Sequence, residues 1–288
     1  MELLNLCAAF YSRFSYWRPP ARPAQHTTPL PKPSVPEGNL TNEQFVEDVY
    51  YPAVVLLFSQ DDAGDMHMRC TATAVEKDGD VYSFVTASHC ASTDDSFSHK
   101  AIADNTAFYI SPDESHQKDF IRAQVEACGS QSRGDDFCLL KVRTDHIFPI
   151  VSLGRDSTAI GGEEVVNIAS PMGLGKQVFY GRVTSPRLDR PVVVEDSDIN
   201  WTNTMLLELP GTNGGSSGSA VVCLEQRAIC GFLVGTIAKT TEVAMPVSRF
   251  EKFETEEKTH KYKYFDPDPE DFMPSLSGIS IGGDGGGN

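Results

Sequence analysis

Three short segments carry side chains able to run nucleophilic chemistry. The first is Gly214-Gly215-Ser216-Ser217-Gly218-Ser219-Ala220-Val221-Val222. A serine hydroxyl is a weak nucleophile that needs a base beside it and a place to hold the developing oxyanion. Small flanking residues let the backbone turn sharply, aim successive N–H groups at one point and leave the hydroxyl exposed. The second segment, Phe84-Val85-Thr86-Ala87-Ser88-His89-Cys90, ends a β-type run with a histidine whose small neighbours leave the ring accessible. The third, Gly134-Asp135-Asp136-Phe137-Cys138-Leu139-Leu140-Lys141-Val142, puts an aspartate at the mouth of an apolar strand. Buried there, a carboxylate orients an imidazole and stabilises its protonated form. Each segment alone has a plainer meaning: a flexible Gly/Ser loop, a structural histidine, a turn carboxylate at a strand start.

The elements that must position these residues read as short β-type runs bounded by Gly, Asp, Asn or Ser. They are Ala53–Phe58, Thr71–Val75, Val81–Val85, Phe137–Val142, Glu164–Ile168, Val178–Val183, Ala220–Cys223 and Gly231–Ile237, rich in Val, Ile, Phe and Thr. Long helical periodicity is absent until Val247–Lys261, which reads as one C-terminal helix. Many short strands with turn signals predict an all-β barrel or sandwich. Residues 18–37 hold Pro19, Pro20, Pro23, Pro29, Pro31, Pro33 and Pro36, so 1–40 reads as an N-terminal segment with a Pro-rich linker. Residues 262–288, with Asp266-Pro267-Asp268-Pro269 and a terminal Gly run, read as an acidic, Gly-rich disordered tail.

Composition narrows the function classes. The 288 residues carry 24 Lys plus Arg against 40 Asp plus Glu, a formal net charge of −16. So acidic a chain repels phosphate backbones, which argues against nucleic-acid binding. No run approaches the ~18 apolar residues of a transmembrane span. The start, Leu3 to Tyr11, is weakly apolar but follows Glu2 where a signal peptide carries positive charge. Seven cysteines are present; Cys7 stands apart, whereas Cys70, Cys90, Cys128, Cys138, Cys223 and Cys230 lie in the central region. If Gln226-Arg227 is a two-residue turn, Cys223 and Cys230 face each other on a hairpin. Three local disulfides, which imply an oxidising and therefore extracytoplasmic or secreted setting, stand against buried free thiols. No His/Cys cluster has metal-ligand spacing, so neither a metal nor another cofactor is expected.

Taken together, the three segments run His, Asp, Ser, separated by 47 and 81 residues, the order of the chymotrypsin architecture. Thr86-Ala87-Ser88-His89-Cys90 resembles the T-A-x-H-C motif of trypsin-like serine peptidases. Asp136 to Val142 resembles their D-I-A-L-L-K strand, and Gly215-Ser216-Ser217-Gly218-Ser219-Ala220 their G-D-S-G-G-P loop. Gly162 to Val183, with Ala169-Ser170-Pro171-Met172-Gly173-Leu174, and Val243-Ala244-Met245-Pro246-Val247 are similar to segments of HtrA/DegP-type members. The resemblance implies two six-stranded antiparallel β-barrels, at about residues 50–150 and 151–250, within a peptidase domain over 41–261 closed by the helix at 247–261. It assigns Ser217 as nucleophile, His89 as general base and acid, Asp136 (rather than Asp135) as orienting carboxylate, and the N–H groups of Gly215 and Ser217 as oxyanion hole. It also places Cys70 and Cys90 where vertebrate members bridge the histidine segment. Gly211, Thr212 and Asn213 should contribute to the substrate side-chain pocket, and Val234, Gly235 and Thr236 form the candidate strand for pairing with the substrate backbone. None is charged, so a small or aliphatic side chain is expected at P1, the residue preceding the cleaved bond. No PDZ-sized region follows residue 250, and no Ile-Val-Gly-Gly-like segment precedes residue 50.

The implied activity is a serine endopeptidase acting on protein or peptide substrates. Two other readings use the same fold: a non-catalytic binding module, and a protease that cuts itself once. An esterase elbow G-x-S-x-G with Ser216 as nucleophile is disfavoured, because its downstream histidine has only His260 to draw on.

Overall fold

The computed structural model describes residues 40–61, 63–91, 106–112, 119–129, 135–154, 159–193, 200–238 and 240–260. All but Leu40 of the N-terminal segment expected over 1–40, and the acidic tail expected over 262–288, lie outside the described residues, as do Gly134 and Lys261.

Barrel one is a closed sheet of six antiparallel strands: β1 (Val54–Gln60), β2 (Met66–Asp78), β3 (Val81–Thr86), β4 (Ala107–Ser111), β5 (Ile121–Cys128) and β6 (Cys138–Arg143), in the order β1-β2-β3-β6-β5-β4. Barrel two closes β7 (Glu164–Ala169), β8 (Gln177–Leu188), β11 (Thr204–Glu208), β12 (Ala220–Cys223), β13 (Ala228–Ala238) and β14 (Thr241–Pro246) in the order β11-β14-β13-β12-β7-β8. A two-stranded ribbon, β9 (Val192–Val193) with β10 (Asn200–Trp201), stands beside them. Closure needs curvature, and bulges supply it: the register shifts at Leu57/Phe58, Ala74/Glu76 and Val125/Ala127 in barrel one, and at Val221/Val222 and Leu233/Gly235 in barrel two.

Strand β2 explains how the barrels meet. Five successive residues, Cys70 to Ala74, are buried, so both faces of the strand are covered. Cys70, Ala72 and Ala74 belong to the main apolar core, while Thr71 and Thr73 reach across to barrel two. Thr71 Oγ1 donates to Gly215 C=O (2.9 Å), and Thr73 Oγ1 accepts from Ala220 N–H (3.3 Å). A threonine fits because its hydroxyl satisfies backbone groups that burial removes from water.

The helix expected at 247–261 is present as Val247–His260. Its Phe250 and Phe253 pack with Phe137 and Phe232, ring centroids 5.5–6.3 Å apart, tying the helix to both barrels. A helical stretch not anticipated from the sequence precedes β1. It comprises α1 (Asn42–Phe45), a π turn (Val46–Tyr50) and α2 (Tyr51–Ala53), started by a Thr41/Gln44 capping box. Its apolar stripe, Phe45, Val46, Val49, Tyr50 and Ala53, spans only three turns, so it escapes a search for long periodicity. Tyr50 is fully buried, and its hydroxyl bridges Ala220 C=O and Ile168 N–H in barrel two.

The Cys223–Cys230 hairpin pairing is corrected. The turn between β12 and β13 is four residues long, with Arg227 N–H closing onto Cys223 C=O, and the register sets Cys223 opposite Ala228. Both thiols are buried and unbridged, and Cys230 donates to Val221 C=O. Hydrogen bonding between the two thiols and burial push the Cys223 pKa far up, keeping it protonated.

Candidate active site

His89 sits on a single helical turn, α3 (Ser88–Ala91), immediately beyond the end of β3. Two anchors hold that turn. Cys90 is bridged to Cys70 on β2, and Ser88 Oγ donates to Gly129 C=O at 2.7 Å. A second bridge, Cys128–Cys138, joins β5 to β6 at paired register positions and closes the connection that carries Asp135 and Asp136. Gly129 then passes so close to Asp135 that a Cβ there would lie 2.0 Å from the Asp135 carbonyl oxygen, so glycine is the residue that fits.

Asp136 precedes β6 and is 0% exposed. Its Oδ2 lies 2.8 Å from His89 Nδ1, and its Oδ1 accepts the His89 backbone N–H at 3.1 Å. A carboxylate only accepts, so Nδ1 carries the proton and Nε2 is left with a free lone pair, on a ring 27% exposed. Burial presses the His89 pKa down, but the charge and hydrogen bond of Asp136 together outweigh it and hold the imidazole above its usual value. The neighbouring Asp135 faces elsewhere: its Oδ1 accepts from Arg249 Nε at 2.7 Å, a contact that pins the C-terminal helix. Phe137, fully buried among the aromatic rings, fixes the pair in place.

The serine loop is folded back on both barrels. Gly215 and Gly218 take φ of +95° and +81°, backbone that favours glycine. A Cβ on Gly218 would lie 2.3 Å from Thr86 Oγ1 and 2.6 Å from Ala87 N, so the residue after Ser217 rests against the strand end that delivers His89. Thr71 N–H donates to Ser217 C=O (3.1 Å), and Gly218 N–H to Leu233 C=O (2.7 Å). The two serines separate clearly. Ser216 is 1% exposed with its hydroxyl accepting Asn213 N–H, whereas Ser217 is only partly buried. Ser219 Oγ is tied to Asn167 and to Ser216 C=O.

Around the expected substrate pocket, Gly211 takes φ +101° and would carry a Cβ 2.9 Å from the Phe179 ring. Asn213 Oδ1 accepts Gly214 N–H, and Val234 is buried. Gly235 lies under the Trp201 ring, leaving no room for a side chain. Thr236 Oγ1 donates to Glu242 Oε2 at 2.6 Å, and Thr212 Oγ1 donates to Leu209 C=O at 3.4 Å. Glu242 was not singled out from the sequence; the signal was a lone acidic residue in the otherwise apolar run Val243 to Val247 and its flank. It is 1% exposed, and burial raises its pKa against the pull of the two threonines. Among the described residues, one trio lies within metal-ligand reach, Cys70, His89 and Cys90 within 4.8 Å, but both sulfurs are committed to the disulfide.

Two closed six-stranded barrels with a buried Asp carrying an accessible His define a chymotrypsin-like peptidase architecture. The chain matches the trypsin-like peptidase domain over residues 70–231 and belongs to that family. Among curated proteins it is similar to "Serine protease HTR4" of Rattus norvegicus, 32% identical over 121 residues, covering 41% of this chain and 23% of that protein. "Serine protease HTRA4" of Mus musculus is 32% identical, with 41% and 24% covered. "Serine protease HTRA1" of Xenopus laevis is 29% identical over 124 residues, with 42% and 26% covered. The matched stretch thus spans about a quarter of the length of these relatives.

Proposed function

We propose that this protein is a serine endopeptidase. Ser217 Oγ attacks the substrate carbonyl while His89 Nε2 takes its proton. Asp136 holds the ring in the correct tautomer and stabilises imidazolium, and the N–H groups of Gly215 and Ser217 receive the oxyanion. His89 then returns the proton to the leaving amine. The observation that carries the reading is the double hydrogen bond from His89 to a fully buried Asp136, beside a loop in which Ser217 is the accessible serine. Family membership and the relatives' names as serine proteases support it. The two disulfides fit an extracytoplasmic or secreted setting. The peptidase domain is proposed to occupy 41–261.

The test is labelling with a fluorophosphonate, followed by peptide mass spectrometry. An adduct on Ser217 that disappears in His89→Ala is expected. An adduct on Ser216, or none on folded protein, overturns the assignment. The intact mass of Ser217→Ala beside wild type separates a self-cutting protease from a general one.

A further inference from the structure

Strand β7 is apolar from Val165 to Ala169 except for Asn167, which is fully buried. An amide inside such a strand is costly unless its polar atoms find partners. Asn167 satisfies only its donor end. Its Nδ2 donates to Ser219 Oγ and to Ala220 C=O, each at 2.7 Å, while the buried Oδ1 has no partner among the described residues. The Ala220 carbonyl can only accept, which fixes the end of the amide that faces the serine loop. That carbonyl accepts from the Tyr50 hydroxyl as well. Ser219 Oγ, having accepted from Asn167, donates to Ser216 C=O at 2.7 Å, and Ser219 N–H donates to the same oxygen at 3.2 Å. Ser219 stands at the second glycine of the G-D-S-G-G-P pattern, so this hydroxyl is an addition of this chain to the loop.

The Ser216 carbonyl and the Ser217 N–H belong to one planar trans peptide unit and therefore point in opposite directions. We propose that Asn167 and Ser219 are positioning residues for the oxyanion hole: by holding Ser216 C=O on the buried side of the loop, they turn the Ser217 N–H towards the reacting carbonyl. Asn167 orients the Ser219 hydroxyl, and the hydroxyl fixes the peptide plane. The brace is built from neutral groups, so it does not titrate in the range where His89 does. The inference rests on the peptidase reading above.

The test measures kcat and KM on the best of a P1-varied set of coumarin-releasing peptides. Beside it runs the inhibition constant of the matching peptide aldehyde, whose carbonyl oxygen becomes an oxyanion when a serine adds to it. Losing one oxyanion donor outright costs about 10²–10³ in kcat. Ser219→Ala keeps the backbone N–H on Ser216 C=O, so a smaller loss of about tenfold in kcat is expected, with KM within about twofold. Asn167→Leu, of similar size but without the donor, should lose about as much. The double variant should lose no more than either single one, because both act through one peptide unit. The aldehyde should weaken by the factor that kcat loses, and the acid limb set by His89 should not move. Val222→Ala, elsewhere on β12, is the control for destabilisation alone and should keep kcat within about twofold, with urea melts of every variant reporting the fold. Should Asn167→Leu not fold, Ser219→Ala decides. In an enzyme that labels on Ser217, a Ser219→Ala kcat within about twofold of wild type, a loss carried by KM, or losses that multiply in the double variant overturn the proposal and leave the peptidase reading intact. A wild-type protein that neither labels nor cleaves sinks that reading, and this inference with it.

Discussion

Replacing Asp136 by Asn tests the candidate site more sharply than deletion of the serine, because size and burial are kept while one proton is misplaced. In the native protein both Asp136 oxygens accept, from the His89 backbone N–H at 3.1 Å and from Nδ1 at 2.8 Å. The amide of Asn offers one acceptor and one donor. If its oxygen keeps the backbone N–H, its NH₂ faces Nδ1, which must then accept. The ring proton moves to Nε2, the atom proposed to take the serine proton. Such a tautomer error costs on the order of 10⁴ in kcat, or about 5 kcal/mol of barrier. The pH profile should change with it. Neutral imidazole is the active form, so activity is lost as pH falls through the His89 pKa, which the Asp136 charge holds above the usual ~6.5. Without that charge, burial acts alone and the acid limb of residual activity shifts downward. Stability carries the opposite sign. A raised folded-state pKa gives stabilisation that is fully present below the unfolded histidine value and lost as pH rises through the folded one. Steady-state kinetics from pH 5 to 9 and urea melts across the same range provide the readouts. Asp135→Asn is the control: it removes a partly exposed pair with Arg249, worth about 0–1 kcal/mol, and should leave kcat within about threefold. An Asp136→Asn enzyme within tenfold of wild type, or an acid limb that does not move, refutes the tautomer argument.

Two substitutions test the frame around the site. Gly218→Ala places a Cβ against Thr86 Oγ1 and Ala87 N on a backbone of φ +81° and should abolish turnover, with a loss of more than about 2 kcal/mol in a denaturant melt. Gly79→Ala, at φ +60° with nothing within 4 Å, should cost only about 1 kcal/mol and keep activity, so equal losses at the two positions would contradict the clash. The Cys70→Ser, Cys90→Ser double variant opens a bridge between residues 20 apart and should lose about 2–4 kcal/mol by calorimetry. It should also lower kcat, because α3 loses its tie to β2; unchanged kcat would show that the bridge does not position His89.

Strand content was readable wherever β-branched runs ended in turn residues, as at β3, β6, β7 and β12. It was not readable at β4, β5 and β11. Ala107–Ser111 and Ile121–Cys128 are half-buried and mix polar with apolar residues, and Thr204–Glu208 is as brief as many loops. Only pairing with β1, β6, β8 and β14 makes strands of them. The hairpin at Cys223 shows the same limit: two cysteines with six residues between them look opposed, but a four-residue turn and a bulge at Val221/Val222 shift the register and leave both thiols unbridged.

The identity and order of His89, Asp136 and Ser217 belong to the sequence, because side-chain chemistry and chain order survive without coordinates. So do the strand-rich patterning and the terminal helix, which follow from local periodicity. What only the tertiary structure decided concerns contacts between distant segments. It aims Asp136, and not Asp135, at His89, because Arg249 from the last helix occupies the other carboxylate. It buries Ser216 and leaves Ser217 accessible, because Asn213 and Ser219 close around the first serine. And it buries Tyr50 from the helical stretch before β1 so that its hydroxyl bridges Ala220 C=O and Ile168 N–H in barrel two, a contact across more than a hundred residues that no local pattern encodes.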